Sequence, residues 1–178
     1  MIIYIQRILE LFKTSGALSA FLKWSKFSLA AFKIISRAKM AGVKPKTVVD
    51  VGANIGQFSV ASSHLFDGVV IYPIEPDPCV SEELRKNVGT LIAKNVKVMA
   101  VGDKNGVEIF HVNSDPQVSS LLPLGADRIN SFPGSKVVEK ITVPVTTLDS
   151  LFKGLTLKEP ILLKIDVQGF EDRVISGA

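Results

Sequence analysis

Acidic side chains and two glycines lie where predicted strands of this chain end. The run at residues 47–51 is rich in β-branched side chains, and Asp50, Gly52 and Gly56 lie at or just after its end. Such a run favours a strand, while the glycines allow a sharp turn into a helix whose first amides point toward a ligand. We expect both glycines to leave room for that ligand where a Cβ would intrude.

A further carboxylate, Glu75, ends the second predicted strand about 23 residues after Gly52. At that position of a nucleotide-type fold, a carboxylate accepts hydrogen bonds from ribose hydroxyls. The Gly52-x-x-x-Gly56 spacing lacks the third glycine of a dinucleotide fingerprint, and Asp50 would repel a pyrophosphate. S-adenosylmethionine, which carries a sulfonium, an ammonium and a ribose, suits these acids better.

A third group of charged side chains lies near the C-terminus of the sequence. Asp166 follows the predicted strand at residues 161–165, and Glu171 falls in the first turn of the next helix. Carboxylates at this edge of a sheet can orient a substrate hydroxyl, act as a general base or hold a divalent cation. Lys164 faces the same side of the chain as Asp166, and we expect it to neutralise one of these acids.

Strand-like and helix-like segments alternate after Pro45, which predicts an α/β fold with a right-handed, doubly wound, mainly parallel sheet. The predicted strands are residues 47–51, 69–74, 96–101 and 161–165, and the predicted helices are residues 57–66, 81–88 and 168–176. Residues 107–112 and 137–145 alternate apolar and polar side chains, which predicts an antiparallel insertion or lid. We expect a domain over residues 45–178 that is incomplete at its C-terminus, because nothing follows the last strand to cover its far side.

The N-terminal arm, residues 1–44, differs from the rest of the chain in charge. Residues 1–40 carry seven basic side chains and one acidic one, a net charge of +6, whereas the remainder carries −2. No nucleic-acid ligand is expected, because the basic residues do not surround the glycine turn. The helical spacing of apolar residues predicts one or two amphipathic helices, and no apolar run approaches the length of a bilayer span.

Two interpretations of this arm remain open. It packs as a helical cap on the domain or on a partner subunit, or it attaches to an anionic membrane surface. In the second case basic residues flank four large aromatic side chains, Phe21, Trp24, Phe27 and Phe32.

The single cysteine, Cys79, excludes an intramolecular disulfide and a cysteine zinc cluster. It fits a reducing cytosol, so we expect a cytoplasmic protein, with the inner membrane surface as the alternative location.

Five stretches of the chain resemble, in order, those of the FkbM-type methyltransferases. They are residues 49–56, Glu75-Pro76, Ser119-Ser120-Leu121, Thr147-Leu148-Asp149 and residues 163–171. The resemblance covers residues 47–178 and implies a class I, Rossmann-like methyltransferase fold that depends on S-adenosylmethionine. It also implies methyl transfer to a hydroxyl oxygen of a sugar, polysaccharide, glycolipid or polyketide-type natural product. Members of that family continue beyond the position of Ala178 with further strands.

The resemblance also implies roles for eight residues. They are Asp50, Gly52, Asn54 and Gly56 at the methionine end of the cofactor, Glu75 at the ribose, Asp103 near the adenine, and Asp166 and Glu171 facing the methyl group or the substrate. A carboxylate, Asp166 before Glu171, is expected to remove or steer the proton of the acceptor hydroxyl. A requirement for a divalent cation stays open.

Two other functions stay open on the residues alone. One is an NAD-dependent oxidoreductase with a variant glycine turn, against which Asp50 and the missing third glycine count. The other is an inactive fragment that acts as a membrane- or partner-binding module through its basic arm. Of the two histidines, His64 is expected to be a packed or surface residue, and His111 would serve as a base only if the insertion folds over the site.

Overall fold

The computed structural model describes residues 12–14, 16–24, 27–123 and 136–178. In chain order its elements are α1 (Ala17–Lys23), α2 (Leu29–Met40), β1 (Thr47–Val51), α3 (Gln57–Leu65), β2 (Val70–Ile74), α4 (Pro78–Asn87), α5 (Gly89–Ala93), β3 (Ala100–Val101), β4 (Gly106–Asn113), a 3-10 turn (Pro116–Val118), β5 (Val137–Thr146), α6 (Leu148–Phe152), β6 (Ile161–Ile165) and α7 (Glu171–Ser176). The start of the predicted arm, residues 1–11, and the middle of the predicted insertion, residues 124–135, lie outside the described residues.

Strand β1 is the centre of a parallel three-stranded sheet in the order β2–β1–β6. Its five residues are all buried, and Val49 lies between Tyr72 on β2 and Leu163 on β6. The β-branched side chains of this run suit a strand that is covered on both faces. The bounds predicted for β1 and β6 from the sequence are confirmed, and the carboxyl ends of three strands therefore meet at one edge.

The strands β3, β5 and β4 form a second sheet. Strand β5 pairs with β3 in parallel and with β4 in antiparallel orientation, so the predicted antiparallel pair is present. The third strand is shorter than predicted, because only Ala100 and Val101 pair with β5, while Lys97 forms an isolated bridge with Ile74 of β2. The described residues thus form a mixed α/β fold with two three-stranded sheets, in which three of the four strand pairs are parallel.

Two apolar clusters cover the two faces of β1. Val48 belongs to a cluster that includes Phe32 of α2 and Leu65 of α3. Val49 belongs to another cluster, which includes Leu148 of α6 and Val174 of α7. Because successive residues of a strand point to opposite faces, helices pack on both sides of β1 and leave its carboxyl end open for a site.

Helix α2 packs against α3 beside the sheet. It begins where the Ser28 hydroxyl accepts a hydrogen bond from the Ala31 N–H at 3.3 Å. Its buried face carries Phe32 and Ile35, and the Phe32 ring lies 5.7 Å from the ring of His64, a surface residue as expected. Of the helices that the structure describes, none is both long and apolar enough to cross a bilayer.

Candidate functional site

A cavity of about 460 Å³ opens at the carboxyl ends of the parallel strands. Its lining includes the β1–α3 turn, Glu75 after β2 and Asp166 after β6. Ala31 and Ile34 of α2 and parts of the loop after β4 complete it on other sides. Open α/β sheets bind ligands in a crevice of this kind, and the volume suits a small molecule.

Four of the eight predicted site residues line this cavity, and four do not. The four that line it are Gly52, Asn54, Glu75 and Asp166. The four outside the lining are Asp50, Gly56, Asp103 and Glu171, and each of these contacts other protein groups.

The two glycines of the turn are required by the protein itself. Gly52 has φ 72° and Gly56 has φ 95°, in the left-handed region that favours glycine. A Cβ at Gly52 would overlap the carbonyl oxygen of Asp166, and a Cβ at Gly56 would lie 2.8 Å from Leu84 Cδ1 and from Val88 Cγ1. The expectation that both glycines leave room for a ligand is therefore wrong, because protein atoms fill both spaces.

The Glu75 carboxylate is the most deeply buried acid on the cavity lining. Its Oε2 accepts a hydrogen bond from the Asn54 N–H at 2.9 Å, and its Oε1 accepts one from the Asp77 N–H at 3.1 Å. The turn makes this possible, since Asn54 takes a left-handed conformation with φ 48°. Burial raises the pKa of Glu75 to about 7, and the two N–H donors act in the opposite direction.

This pKa makes the stability of the protein depend on pH. The folded protein keeps the Glu75 proton up to about pH 7, whereas the unfolded chain releases it near 4.5. The stability linked to Glu75 is therefore greatest at low pH and falls as the pH rises through this window. Between about pH 5 and about pH 8, the free energy of unfolding of wild type should fall by about 2 kcal/mol relative to Glu75→Gln. Urea unfolding at both pH values measures this, and a constant difference between the two proteins would contradict it.

Asp50 is completely buried and does not face the cavity. Its Oδ2 accepts a hydrogen bond from the Ser59 hydroxyl at 2.7 Å. Its Oδ1 lies 3.1 Å from the Lys164 ammonium, the one basic partner of this carboxylate among the described residues. A buried carboxylate needs such partners. Through them Asp50 connects the end of β1, where the glycine turn starts, to Ser59 of α3 and to Lys164 of β6.

Lys164 joins the ends of β1 and β6. Besides the ion pair with Asp50, its Nζ donates to the Gly52 carbonyl at 2.7 Å and to the Val51 carbonyl at 3.3 Å. The same Nζ lies 3.8 Å from Asp166 Oδ2. The expectation that Lys164 neutralises Asp166 or Glu171 is confirmed for Asp166, whereas the closer ion pair with Asp50 was not expected. The ammonium also holds the glycine turn against the end of β6.

Asp166 is the exposed carboxylate of the cavity, with 57% of its side chain accessible. Its Oδ1 accepts a hydrogen bond from the Gln168 side-chain amide at 3.1 Å. The sequence left open a divalent cation at this edge. Within the described ranges of the chain, no group of three or more His, Cys, Asp or Glu side chains could hold a metal ion.

Glu171 closes the turn that follows β6. Its Oε1 accepts hydrogen bonds from the Val167 and Gly169 N–H groups, both at 3.1 Å, and its Oε2 accepts from the Gly169 N–H at 2.9 Å. Gln168 and Gly169 both have positive φ, 59° and 98°. The carboxylate therefore stabilises a left-handed turn next to Asp166 and is not among the described residues that line the cavity.

Asp103 lies at the surface beside α7. Its Oδ2 is 2.6 Å from Nη1 of Arg173, and this hydrogen bond is the main cause that lowers the pKa of the Asp103 carboxyl. Asp103 is not among the described residues that line the cavity. Its expected place near an adenine stays a prediction.

The loop after β4 contributes residues that sequence reasoning weighed only in part. Ser119 and Leu121 line the cavity, and the buried Ser120 hydroxyl donates to the Val167 and Gln168 carbonyls at 3.2 Å. Ser120 thus attaches this loop to the turn beside Asp166. The resemblance to the family had already pointed to Ser119, Ser120 and Leu121. The first and third of these residues line the cavity, and the second, between them, faces the turn after β6.

His111 is not among the described residues that line the cavity, and its action as a base stays a prediction. Its neighbour Phe110 lines it instead and is buried. Successive residues of a strand point to opposite sides, and the backbone of His111 pairs with Ser120. The alternation along β4 does not supply this signal, because Val107 and Ile109, on the same side of the strand as His111, are also apolar and yet exposed.

A family model described as "Methyltransferase FkbM domain" matches residues 50–178. This chain belongs to the FkbM methyltransferase family. The match begins at Asp50 and contains the glycine turn, Glu75 and the stretch from Asp166 to Glu171, so the whole cavity edge of the sheet lies within it. The resemblance drawn from five stretches of the sequence is confirmed.

Two of the relatives of this family member are O-methyltransferases by name. It is 26% identical over 141 residues to 2-O-methyltransferase NoeI of Sinorhizobium fredii, a match that covers 75% of this chain and 58% of the relative. It is 30% identical over 159 residues to 31-O-demethyl-FK506 methyltransferase FkbM of Streptomyces tacrolimicus, with 76% and 60% covered. The chain spans less than two thirds of either relative. No solved structure gives a significant match. These matches do not favour the NAD-dependent alternative.

Proposed function

We propose that this FkbM-family protein is an S-adenosylmethionine-dependent O-methyltransferase with the class I, doubly wound arrangement of that fold. The observation that carries the proposal is the buried Glu75 carboxylate, which lines the cavity beside the Gly52–Asn54 turn. A carboxylate after the second strand is the group that binds a ribose in folds of this kind. The acceptor is proposed to be a hydroxyl group of a small molecule or glycan.

The charges of the cavity support this cofactor over a dinucleotide. Glu75 and Asp166 are its carboxylates, and Lys164 is the one basic side chain among its described lining residues. The Lys164 ammonium is already paired with Asp50 and hydrogen-bonded to two carbonyls. A pyrophosphate would find no further cation among these described lining residues, whereas a sulfonium and an ammonium are attracted by acids.

Asp166, Gln168, Lys164 and Glu171 have separate roles in the proposed reaction. Bound S-adenosylmethionine supplies an electrophilic methyl group. Asp166 is exposed at the mouth of the cavity, where its carboxylate orients an acceptor hydroxyl and takes its proton. Gln168 and Lys164 restrict the orientation of that carboxylate, and Glu171 is a positioning residue that holds the turn beside it. Positioning of this kind supplies much of the rate in group transfer.

Support for an oxygen acceptor comes from the two relatives. The name of each states an O-methyl position, 2-O in one and 31-O in the other. The cavity also carries apolar side chains, Phe58, Phe110 and Phe170 among them. These suit an acceptor that presents an apolar face beside its hydroxyl, and they exclude water from the reacting groups.

Replacement of Asp166 tests the assignment. Asp166→Asn keeps the shape of the side chain and removes the proton acceptor, so kcat should fall about 100-fold or more while S-adenosylmethionine binding is largely retained. Calorimetry measures the binding, and methyl-radiolabelled cofactor with a panel of sugars, glycolipids and polyketides measures turnover. Asp67→Asn, which changes an exposed acid after α3, is the matched control. Binding of NAD without binding of S-adenosylmethionine would overturn the proposed function.

A further inference from the structure

The charge of the chain changes abruptly at the start of β1. Residues 11–49 contain eight basic side chains and no acidic one. They are Lys13, Lys23, Lys26, Lys33, Arg37, Lys39, Lys44 and Lys46. Residues 50–178 contain twelve basic and sixteen acidic side chains, a net charge of −4. A basic segment joined to an acidic domain directs binding to an anionic surface through the segment alone.

Large apolar side chains are exposed on the same segment. The exposed fractions are 69% for Phe12, 47% for Phe21, 75% for Leu22, 57% for Ile34 and 86% for Met40. The inward face of the two helices is separate from these residues, since it buries Ala17 and Ala20 of α1 with Phe32 and Ile35 of α2. The outward face therefore combines aliphatic and aromatic groups with lysines and arginine, as helices at a membrane interface do.

The same surface borders the cavity. Ile34 lines the cavity and is more than half exposed, and Ala30 beside it is also exposed and also lines the cavity. Arg37, one turn after Lys33 on the helix, is exposed as well. Any partner that contacts the outward face of α2 therefore lies next to the mouth of the cavity.

We propose that α1 and α2 dock on the surface of an anionic lipid bilayer. Basic side chains contact lipid phosphates, and Phe21, Leu22 and Ile34 enter the boundary between headgroups and acyl chains. The combination favours lipid over nucleic acid, because phosphate contacts alone leave exposed leucine and isoleucine without a role. Docking in this orientation brings the cavity mouth to the headgroup layer.

Vesicle flotation of the full chain tests this proposal. The wild-type protein should float with phosphatidylcholine vesicles that contain about one-third phosphatidylglycerol, and should not float with phosphatidylcholine alone. The triple variant Lys13→Glu, Lys23→Glu, Arg37→Glu should lower the partition coefficient about 100-fold, at about 1 kcal/mol for each basic side chain removed. Phe21→Ser with Leu22→Ser should lower it about tenfold or more.

A matched control changes the same number of exposed basic residues outside the arm. The triple variant Lys86→Glu, Lys94→Glu, Lys153→Glu alters exposed lysines at or just after the ends of α4, α5 and α6 and should bind like wild type. Circular dichroism before flotation establishes that each variant is folded. Absence of wild-type binding to anionic vesicles, or equal losses in the arm and control variants, would overturn the docking proposal. If this face instead binds a protein partner, the wild type would not bind anionic vesicles, and that result would likewise overturn the docking proposal.

Cofactor binding is measured on the same samples, so that the two proposals can fail separately. Intact S-adenosylmethionine binding without flotation removes the docking proposal alone. Flotation without S-adenosylmethionine binding removes the proposed function alone, because docking depends only on the arm.

Discussion

Replacement of Lys164 with methionine is expected to lower the free energy of unfolding by about 3–5 kcal/mol. Methionine retains the length and apolar stem of the side chain, so the change removes the charge rather than the packing. The Asp50 carboxylate is fully buried and lies 3.1 Å from the ammonium, and it would remain without a cation. The Gly52 carbonyl would also lose its 2.7 Å donor. Urea denaturation followed by circular dichroism measures the loss.

A second substitution separates the charge from the other contacts of Lys164. In the double variant Lys164→Met, Asp50→Asn no buried charge is left, and the Ser59 hydrogen bond of position 50 can persist, so at least half of the lost stability should return. Lys158→Met, which changes an exposed lysine near the start of β6, should leave stability unchanged. A Lys164→Met protein as stable as wild type would show that Asp50 does not depend on the ion pair.

The second large effect concerns the cofactor and depends on the proposed function. Glu75→Ala is expected to weaken S-adenosylmethionine binding about 100-fold or more, since each hydrogen bond to a charged group contributes about 1.5–3 kcal/mol and a ribose offers two hydroxyls. Isothermal titration calorimetry at about pH 8, above the pKa of about 7 at which Glu75 ionises, measures the affinity.

The control for this change is Glu82→Ala, which removes an exposed carboxylate from α4 and should bind the cofactor like wild type. The thermal midpoint of Glu75→Ala must be measured in parallel, because the Asn54 and Asp77 N–H groups lose their acceptors. Wild-type affinity in a folded Glu75→Ala protein would contradict the assignment of the ribose site to this residue.

Much of the fold followed from local patterns in the sequence. The β-branched run at residues 47–51 and the apolar run at residues 161–165 were bounded correctly, because strand propensity and turn residues act over a few positions. The placement of Glu75 and Asp166 at one edge also followed, since parallel strands end on the same side. The third strand was predicted too long, because pairing with a distant strand decides how far it extends.

The sequence by itself thus determined the family, the parallel strands and the carboxylates at the open edge of the sheet. Only the tertiary structure decided which of those carboxylates face the cavity. Lys164 is 114 positions from Asp50 in the chain, and their ion pair withdraws Asp50 from the site. Glu171 accepts from its own turn, and Asp103 pairs with Arg173. Residue type and position along a strand predict at which edge of the sheet a side chain lies. Its hydrogen-bond or ion-pair partner depends on which groups the packed elements bring within hydrogen-bonding distance.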